Sequence, residues 1–596
     1  MSSIRLAIGQ INTRVGDFEG NLEKLTLRIK EAANLGADII AFPEMAICGY
    51  PLEDLAFRGS FLSACETTLQ KLCSKLAKQK ITVIAGGIET GDTLYNSAFV
   101  LQGGEVLGRA RKRYLFCCGR FDESRYFSAG EAPLVIECDG FRAAVTLGDD
   151  FGYPVFPAET DLLINLWNEP YQYGRRPLRG RMMTGRARED AVSIVMVSPV
   201  GCQDDMIFEG SSKIVDGFGE ILARGASFAE DLVIADLDLR TLQAHRARHY
   251  NSFQQNEQHL AKSRRVRPAR IISERKRPSS IKGEIKPLLK GPEELFTALA
   301  FSIRDFLAKN NMEAAVVGLS GGIDSSLTAL LAREAMGVGR VIGVSMPGPH
   351  TSRESKRDAA KLARNLGIEF TEVSVRGLYT KTLQAVSRAF SGKGPDVTEE
   401  NIQARLRGLV LMAVANKRNG AVLATGNKSE EATGYCTLYG DTAGAFAPLC
   451  DVYKTRVYEL ASWYNKRASK RIIPQNVFER PPTAELKPDQ TDQDRLPAYS
   501  DLDRILEGLL EKGLSAAELI EKGESEKTVY QVLTMLLHSE FKRRQSPTGP
   551  TVSERPLSDL RLPLSKTLGF WKLSQTTKSE RRAGARKKGS AGGSVK

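Results

Sequence analysis

The sequence predicts an α/β protein of at least two domains, the second built on a Rossmann-like, doubly wound parallel sheet. Three observations carry this. The chain has 596 residues, about four times the ~150 residues of one typical domain. Short β-branched apolar runs alternate with segments of helical period in both halves. A stretch dense in charge and proline divides them. With 42% apolar and 26% charged residues the composition is that of a globular protein, which excludes a mainly disordered chain.

In the first 240 residues, IRLAIGQIN (4–12), ADIIAFPE (37–44), TVIAGGIE (82–89), FRAAVTLGD (141–149), LLINLW (162–167), SIVMVSPV (193–200) and LVIADLDL (232–239) read as strands. Between the first two, Leu22, Leu25, Ile29, Ala32 and Ala33 recur at helical spacing, and Gly36 supplies a stop. Residues 261–290 hold three prolines and no sustained period, so they read as an exposed basic connection, with the domains at 1–262 and 291–570. Beyond it, EELFTALAFSIRDFLAK (293–309) reads as helix, AAVVGL (314–319) as strand, SLTALLAREAMG (326–337) as helix and RVIGVSMPG (340–348) as strand, a βαβ unit. Low complexity is confined to the end of a basic tail, 571–596, expected to be disordered.

There are 84 Lys and Arg against 71 Asp and Glu, a net +13. The stretch 261–290 contributes eleven Lys or Arg against two Glu, and the residues from Trp571 eight against one. The folded remainder is therefore near neutral. No aromatic residues interleave with those charges, which disfavours a specific nucleic-acid face over weak polyanion contact. Nine cysteines form no CxxC pair, which fits a reducing compartment. The opening MSSIRLAIGQIN has no basic segment followed by an apolar run, and no apolar stretch reaches ~18 residues. A cytoplasmic protein without a membrane span is expected.

Between the strand and helix at the start of the second half lies Gly318-Leu319-Ser320-Gly321-Gly322-Ile323-Asp324-Ser325-Ser326. Glycines let the backbone approach an anion, and a helix N-terminus presents N–H groups and partial positive charge. No Lys follows as the Walker pattern GxxxxGK[ST] requires, while Asp324 could hold Mg2+ against phosphate oxygens. By itself such a Gly-Gly pair is equally a tight turn before a capped helix.

The full string SGGIDSS resembles the PP-loop of ATP pyrophosphatases, which cleave ATP between its α and β phosphates. ENIQARLRGLVLMAVANKRNG (400–420), LATGNKSEEATGYCTLYGDTAGAFAPLCDVYKTRVYEL (423–460), PPTAEL (481–486), LPAYSDLDRIL (496–506) and FKRRQ (541–545) resemble the synthetase domain of NAD synthetases. The resemblance implies a ligase: deamido-NAD is adenylated by ATP on its nicotinate carboxylate, and ammonia then displaces AMP. It implies that Gly318, Leu319, Ser320, Gly321, Gly322, Ile323, Asp324, Ser325, Thr425, Lys454 and Thr483 contact ATP. Asp324 and Glu430 would hold Mg2+, and Asn401, Arg405, Glu430, Asp441 and Lys542 would contact deamido-NAD. Taken singly, Glu430 and Glu431 could be solvated carboxylates of a helix N-terminus, and Lys454 a surface charge. Where the family has a Lys after its KRRQ string, this chain has Thr551.

FPEMAICGYPLEDL (42–55), RKRYL followed by GRFDESRYF, and INLWNEPYQYG (164–174) resemble the nitrilase-type, carbon–nitrogen hydrolase domain joined to glutamine-dependent members, an α-β-β-α sandwich. Such domains use a Glu-Lys-Cys triad to release ammonia from glutamine. Glu44 and Lys112 match the first two members. The nucleophile position is Gly148, which has no side chain. Three further glutamine-pocket positions also depart, as Cys118, Glu169 and Arg175. The expectation is a synthetase fed by ammonia, with Glu44 and Lys112 kept as a buried ion pair. The alternative is full glutamine dependence through another nucleophile, with Cys117 and Cys118, five and six residues after Lys112, as the candidates. The resemblance also implies homo-oligomeric assembly.

Overall fold

The computed structural model describes residues 3–117, 119, 121–138, 140–152, 160–248, 269–271 and 279–567. The first half stacks two sheets. One runs, edge to edge, Asp231–Leu237, Ile4–Gln10, Ile39–Ala41, Thr82–Glu89, Tyr95–Gln102 and Glu105–Arg111. The other runs Ile221–Arg224, Lys213–Val215, Ser193–Val197, Leu162–Leu166, Phe141–Leu147, Leu134–Cys138 and Ala269–Arg270. Their facing sides interdigitate Ile4, Leu6, Ile8, Val100, Val145, Ile164 and Val195 in one apolar core. Helices Phe18–Asn34 and Gly59–Leu76 cover the outer face of the first sheet, and Arg176–Glu189 that of the second. This is the α-β-β-α sandwich. The predicted helical stripe does fall inward, with Leu22, Leu25, Ile29 and Ala32 buried, Asp17 capping Gly20 N at 3.0 Å and Gly36 at φ +77° after the helix end.

The second half carries four parallel strands in the order Glu369–Glu372, Val341–Ser345, Ala314–Gly318, Gly420–Leu423. The chain winds one way from Ala314–Gly318 and returns to its other side, so the switch point falls at the carboxyl end of that strand, where open α/β sheets bind ligands. Helices cover both faces, giving one core with Leu299, Leu327, Leu331 and Leu460 and another with Val316, Val344, Leu411 and Val422.

The two halves share packing. Tyr171, Val200, Ile207 and Phe228 of the first belong to the same apolar core as Leu295, Leu299 and Phe301 of helix Pro292–Lys309. Asn12 Nδ2 donates to Asp305 Oδ1 at 2.6 Å and Lys309 Nζ to the Cys202 carbonyl at 2.9 Å. The stretch expected as an exposed connection differs where it is described. Ala269–Arg270 extends the second sheet, and Ile281, Glu284 and Lys286 exchange backbone hydrogen bonds with Asp236 and Arg224. Its polar backbone finds partners along the edge strands of both sheets, while Lys282 and Lys290 stay exposed as expected. The basic tail from 571 lies outside the described residues. Among the described residues no helix is long and apolar enough to cross a membrane.

Candidate active site

Helix Ile323–Met336 starts immediately after the turn at the switch point. Gly321 sits at φ +83°, and a Cβ there would lie 2.5 Å from the Ser355 carbonyl oxygen, so this position demands glycine twice over, by conformation and by close approach. Gly322 N donates to Ser320 Oγ at 3.1 Å, which lies 3.0 Å from Ser325 Oγ. The first helical turn then presents its amides to a cleft of about 280 Å3.

Gly318, Leu319, Ser320, Gly321, Gly322, Ile323, Asp324, Ser325, Thr425, Glu430, Asp441, Lys454 and Thr483 all line this cleft. Lys454 is no surface charge: its side chain is 3% exposed, with Nζ 2.5 Å from Asp324 Oδ2 and 3.0 Å from Glu430 Oε1. Asn427 Nδ2 donates to the other Asp324 oxygen at 2.9 Å. Glu430 is at once a capping-box residue, accepting from Asn427 N at 3.3 Å, and a member of this cluster. Burial pushes its carboxyl up to about 8, with Lys454 opposing and Asp324 reinforcing. Glu431 turns elsewhere, accepting from Ser546 Oγ at 2.7 Å.

Two hard carboxylate oxygens thus converge on one cationic point, a donor set that suits Mg2+ when substrate phosphates complete the shell. Among the described residues no group of three or more His, Cys, Asp or Glu could hold a metal by itself.

Asn401 and Arg405, on helix Val397–Lys417, and Lys542, on helix Glu540–Arg543, do not line the cleft but pack against the loop that carries Asp441. Asn401 Oδ1 accepts from Thr437 Oγ1 at 2.9 Å, and Arg405 Nε donates to the Leu438 carbonyl at 3.2 Å. Lys542 Nζ donates to the Gly434 and Cys436 carbonyls, each at 2.7 Å, and Asp441 Oδ1 accepts from Thr437 N at 2.6 Å. Sequence reading missed Arg480, Glu485 and Asp492, which also line the cleft. Arg480 precedes the quoted PPTAEL string, and that adjacency was its available signal.

In the first half Glu44, Lys112 and Gly148 meet, as their alignment with a triad requires. Lys112 Nζ lies 2.8 Å from Glu44 Oε1 and 3.0 Å from Glu123 Oε1. A Cβ at Gly148 would fall 2.5 Å from Lys112 Cε and 2.9 Å from its Nζ, and residue 148 sits at φ +53°. Position 148 therefore lies against the Lys112 ammonium in a left-handed conformation that glycine adopts freely, and it offers no side-chain atom to react. Glu123 turns the expected ion pair into a triple. It also accepts from Tyr50 OH at 3.1 Å and Phe116 N at 2.8 Å, and its signal lay in the GRFDESRYF string. Burial raises the Glu44 carboxyl against the pull of Lys112. The two carboxylates raise the lysine although burial alone would lower it.

Beside this triple, Asp149, Trp167, Glu169 and Arg175 line an open cavity of about 670 Å3, to which the second half contributes Thr551 and Ser553. No cysteine is among its described lining residues. Glu169 pairs with Arg179 at 2.6 Å and lies 3.7 Å from Arg175. Cys117 is exposed, and Cys118 lies outside the described residues. Thr551 donates from its N to the Asp205 carbonyl at 2.9 Å, a contact across the two halves.

Residues 295–546 match the NAD synthase family and 5–247 the carbon-nitrogen hydrolase family. A glutamine-dependent NAD+ synthetase of Thermotoga maritima is 41% identical over 577 residues, spanning 95% of this chain and 99% of its own length. One of Aquifex aeolicus is 38% identical over 569 residues, 94% and 99% of the two chains. The solved glutamine-dependent NAD+ synthetase from Acinetobacter baumannii, in complex with ADP, matches with TM-score 0.69 and 33% identity over 94% of this chain and 98% of that one.

Proposed function

Since the chain belongs to the family of glutamine-dependent NAD+ synthetases, ligases that form a carbon–nitrogen bond, we propose that it amidates deamido-NAD to NAD+ at the expense of ATP, with ammonia as nitrogen donor. A nicotinate carboxylate oxygen attacks the α-phosphorus of ATP, the bond to the β-phosphate oxygen breaks, and pyrophosphate leaves. Ammonia then adds to the acyl carbon, loses a proton, and AMP departs with the former carboxylate oxygen. A carboxylate cannot expel oxide unaided, so adenylation supplies the leaving group.

The observation that carries this reading is the Gly321–Asp324 turn at the sheet's switch point, facing Lys454 and Glu430. The turn's amides and the Ser320 and Ser325 hydroxyls receive phosphate oxygens. Lys454 neutralises charge as pyrophosphate forms. Asp324 and Glu430 would hold Mg2+, which supplies charge neutralisation on the polyphosphate when bound. Thr425 and Thr483, which line the same cleft, contact ATP. The loop bearing Asp441, with Asn401, Arg405 and Lys542 against it, receives deamido-NAD. The test is oxygen transfer: deamido-NAD labelled with 18O in its carboxylate should give AMP carrying one label. Unlabelled AMP, with the label in phosphate or pyrophosphate, would defeat the acyl-adenylate reading.

Gly148 supports ammonia as donor. The names of the relatives favour the second reading, glutamine hydrolysed in the first half, which requires a nucleophile other than residue 148. On the first reading that half is a scaffold packed on the synthetase through helix Pro292–Lys309.

A further inference from the structure

We propose that Arg480 is a positioning residue for the ATP half-reaction, pinning the Gly321–Gly322 peptide so that its carbonyl cannot turn toward the departing pyrophosphate. The inference rests on the reading that the turn takes ATP phosphates. A peptide between two glycines has no Cβ to oppose rotation, so flipping it costs little sterically. Flipped, it would present a carbonyl oxygen to a polyanion and break the bond from Gly322 N to Ser320 Oγ.

Arg480 meets that peptide directly. Its Nη2 donates to the Gly321 carbonyl at 3.2 Å and to Asp358 Oδ2 at 2.9 Å, and its Nη1 to Ser355 Oγ. Asp358 is 2% exposed and belongs to helix Arg353–Leu366, so the guanidinium is itself held. Ser355 in turn donates to Glu485 Oε1 at 2.8 Å. Arg480 therefore joins the phosphate turn, that helix and the loop carrying Thr483, and it lines the cleft. A planar fork can hold a carbonyl and a carboxylate at once, which a lysine ammonium matches only in part.

Arg480→Met and Arg480→Lys are compared with the parent in steady-state assays varying ATP, deamido-NAD and ammonium, with pyrophosphate as product inhibitor. For Arg480→Met the KM for ATP and the inhibition constant of pyrophosphate should both rise about tenfold or more, the loss of a charge-assisted hydrogen bond. The KM values for ammonium and deamido-NAD should stay within about twofold, with Arg480→Lys intermediate. Unchanged ATP and pyrophosphate constants in Arg480→Met would overturn the proposal, as would equal movement of all Michaelis constants with an earlier melt, the mark of general loosening. A parent enzyme whose pyrophosphate inhibition is not competitive with ATP would instead bring down the reading of the turn, and this inference with it.

Discussion

Replacing Lys112 by Met tests the charged triple in the first half. Lys112 and Glu44 are each 2% exposed and Glu123 0%, so the change leaves two carboxylates buried without their cation. Breaking a buried pair in this way costs about 3–5 kcal/mol. Protonation sets a ceiling, because neutralising a carboxyl of ordinary pKa about 4.3 at pH 7.5 costs about 4 kcal/mol. The sign with pH follows. Burial already raises Glu44 above its unfolded value against the pull of Lys112, and without the lysine that rise grows, so stability is retained at low pH and lost as pH rises. The penalty at pH 5.5 should fall to roughly 1–2 kcal/mol by the same scale. Urea unfolding followed by tryptophan fluorescence reads it, Trp167 reporting on the first half. Ammonium-dependent turnover at permissive temperature should be unchanged. A variant as stable as the parent at pH 7.5, or one equally weakened at both pH values, would refute the reasoning.

Further expectations concern separate parts of the molecule. Asp324→Asn should slow pyrophosphate release by roughly two orders of magnitude or more with either nitrogen donor; release at the parent rate would remove the role assigned to this carboxylate. Burial pushes Asp150 up to about 6, against the N–H groups of Arg113 and Tyr114. That raised value takes stability away as pH climbs from about 4 to 6, so the melting temperature of Asp150→Asn should vary less over this window, and a parallel profile would count against it. Lys428 is fully buried between Asp451 and Glu511 and bonded to Ser553, so Lys428→Met should cost about 3–5 kcal/mol in urea. Deleting 571–596 should leave turnover unchanged, and a loss would speak for a nucleic-acid role.

How much of this was legible in the sequence depended on how local each feature is. The phosphate turn was readable because its strand, glycines and helix are contiguous and each has its own chemical reason. Glu44, Lys112 and Gly148 were readable as a set only through resemblance, since nothing in their spacing brings residues 68 and 36 positions apart together. Glu123 escaped because its importance lies in sharing Lys112 with Glu44, a contact made by the fold. The hairpin Tyr95–Gln102 to Glu105–Arg111 was overlooked despite a legible mark: Gly103 and Gly104, at φ +59° and +92°, form a two-residue link. The seam at Thr551 and Asp205 joins residues 346 apart in sequence, and no periodicity encodes such a pairing.

The nitrogen source decides whether Gly148 has the consequence argued for it. Enzyme given ATP, Mg2+, deamido-NAD, 15N-ammonium and unlabelled glutamine together should form NAD+ whose amide nitrogen is 15N, while glutamate does not accumulate. NAD+ carrying mainly unlabelled amide nitrogen, with glutamate formed in equal amount, would contradict it.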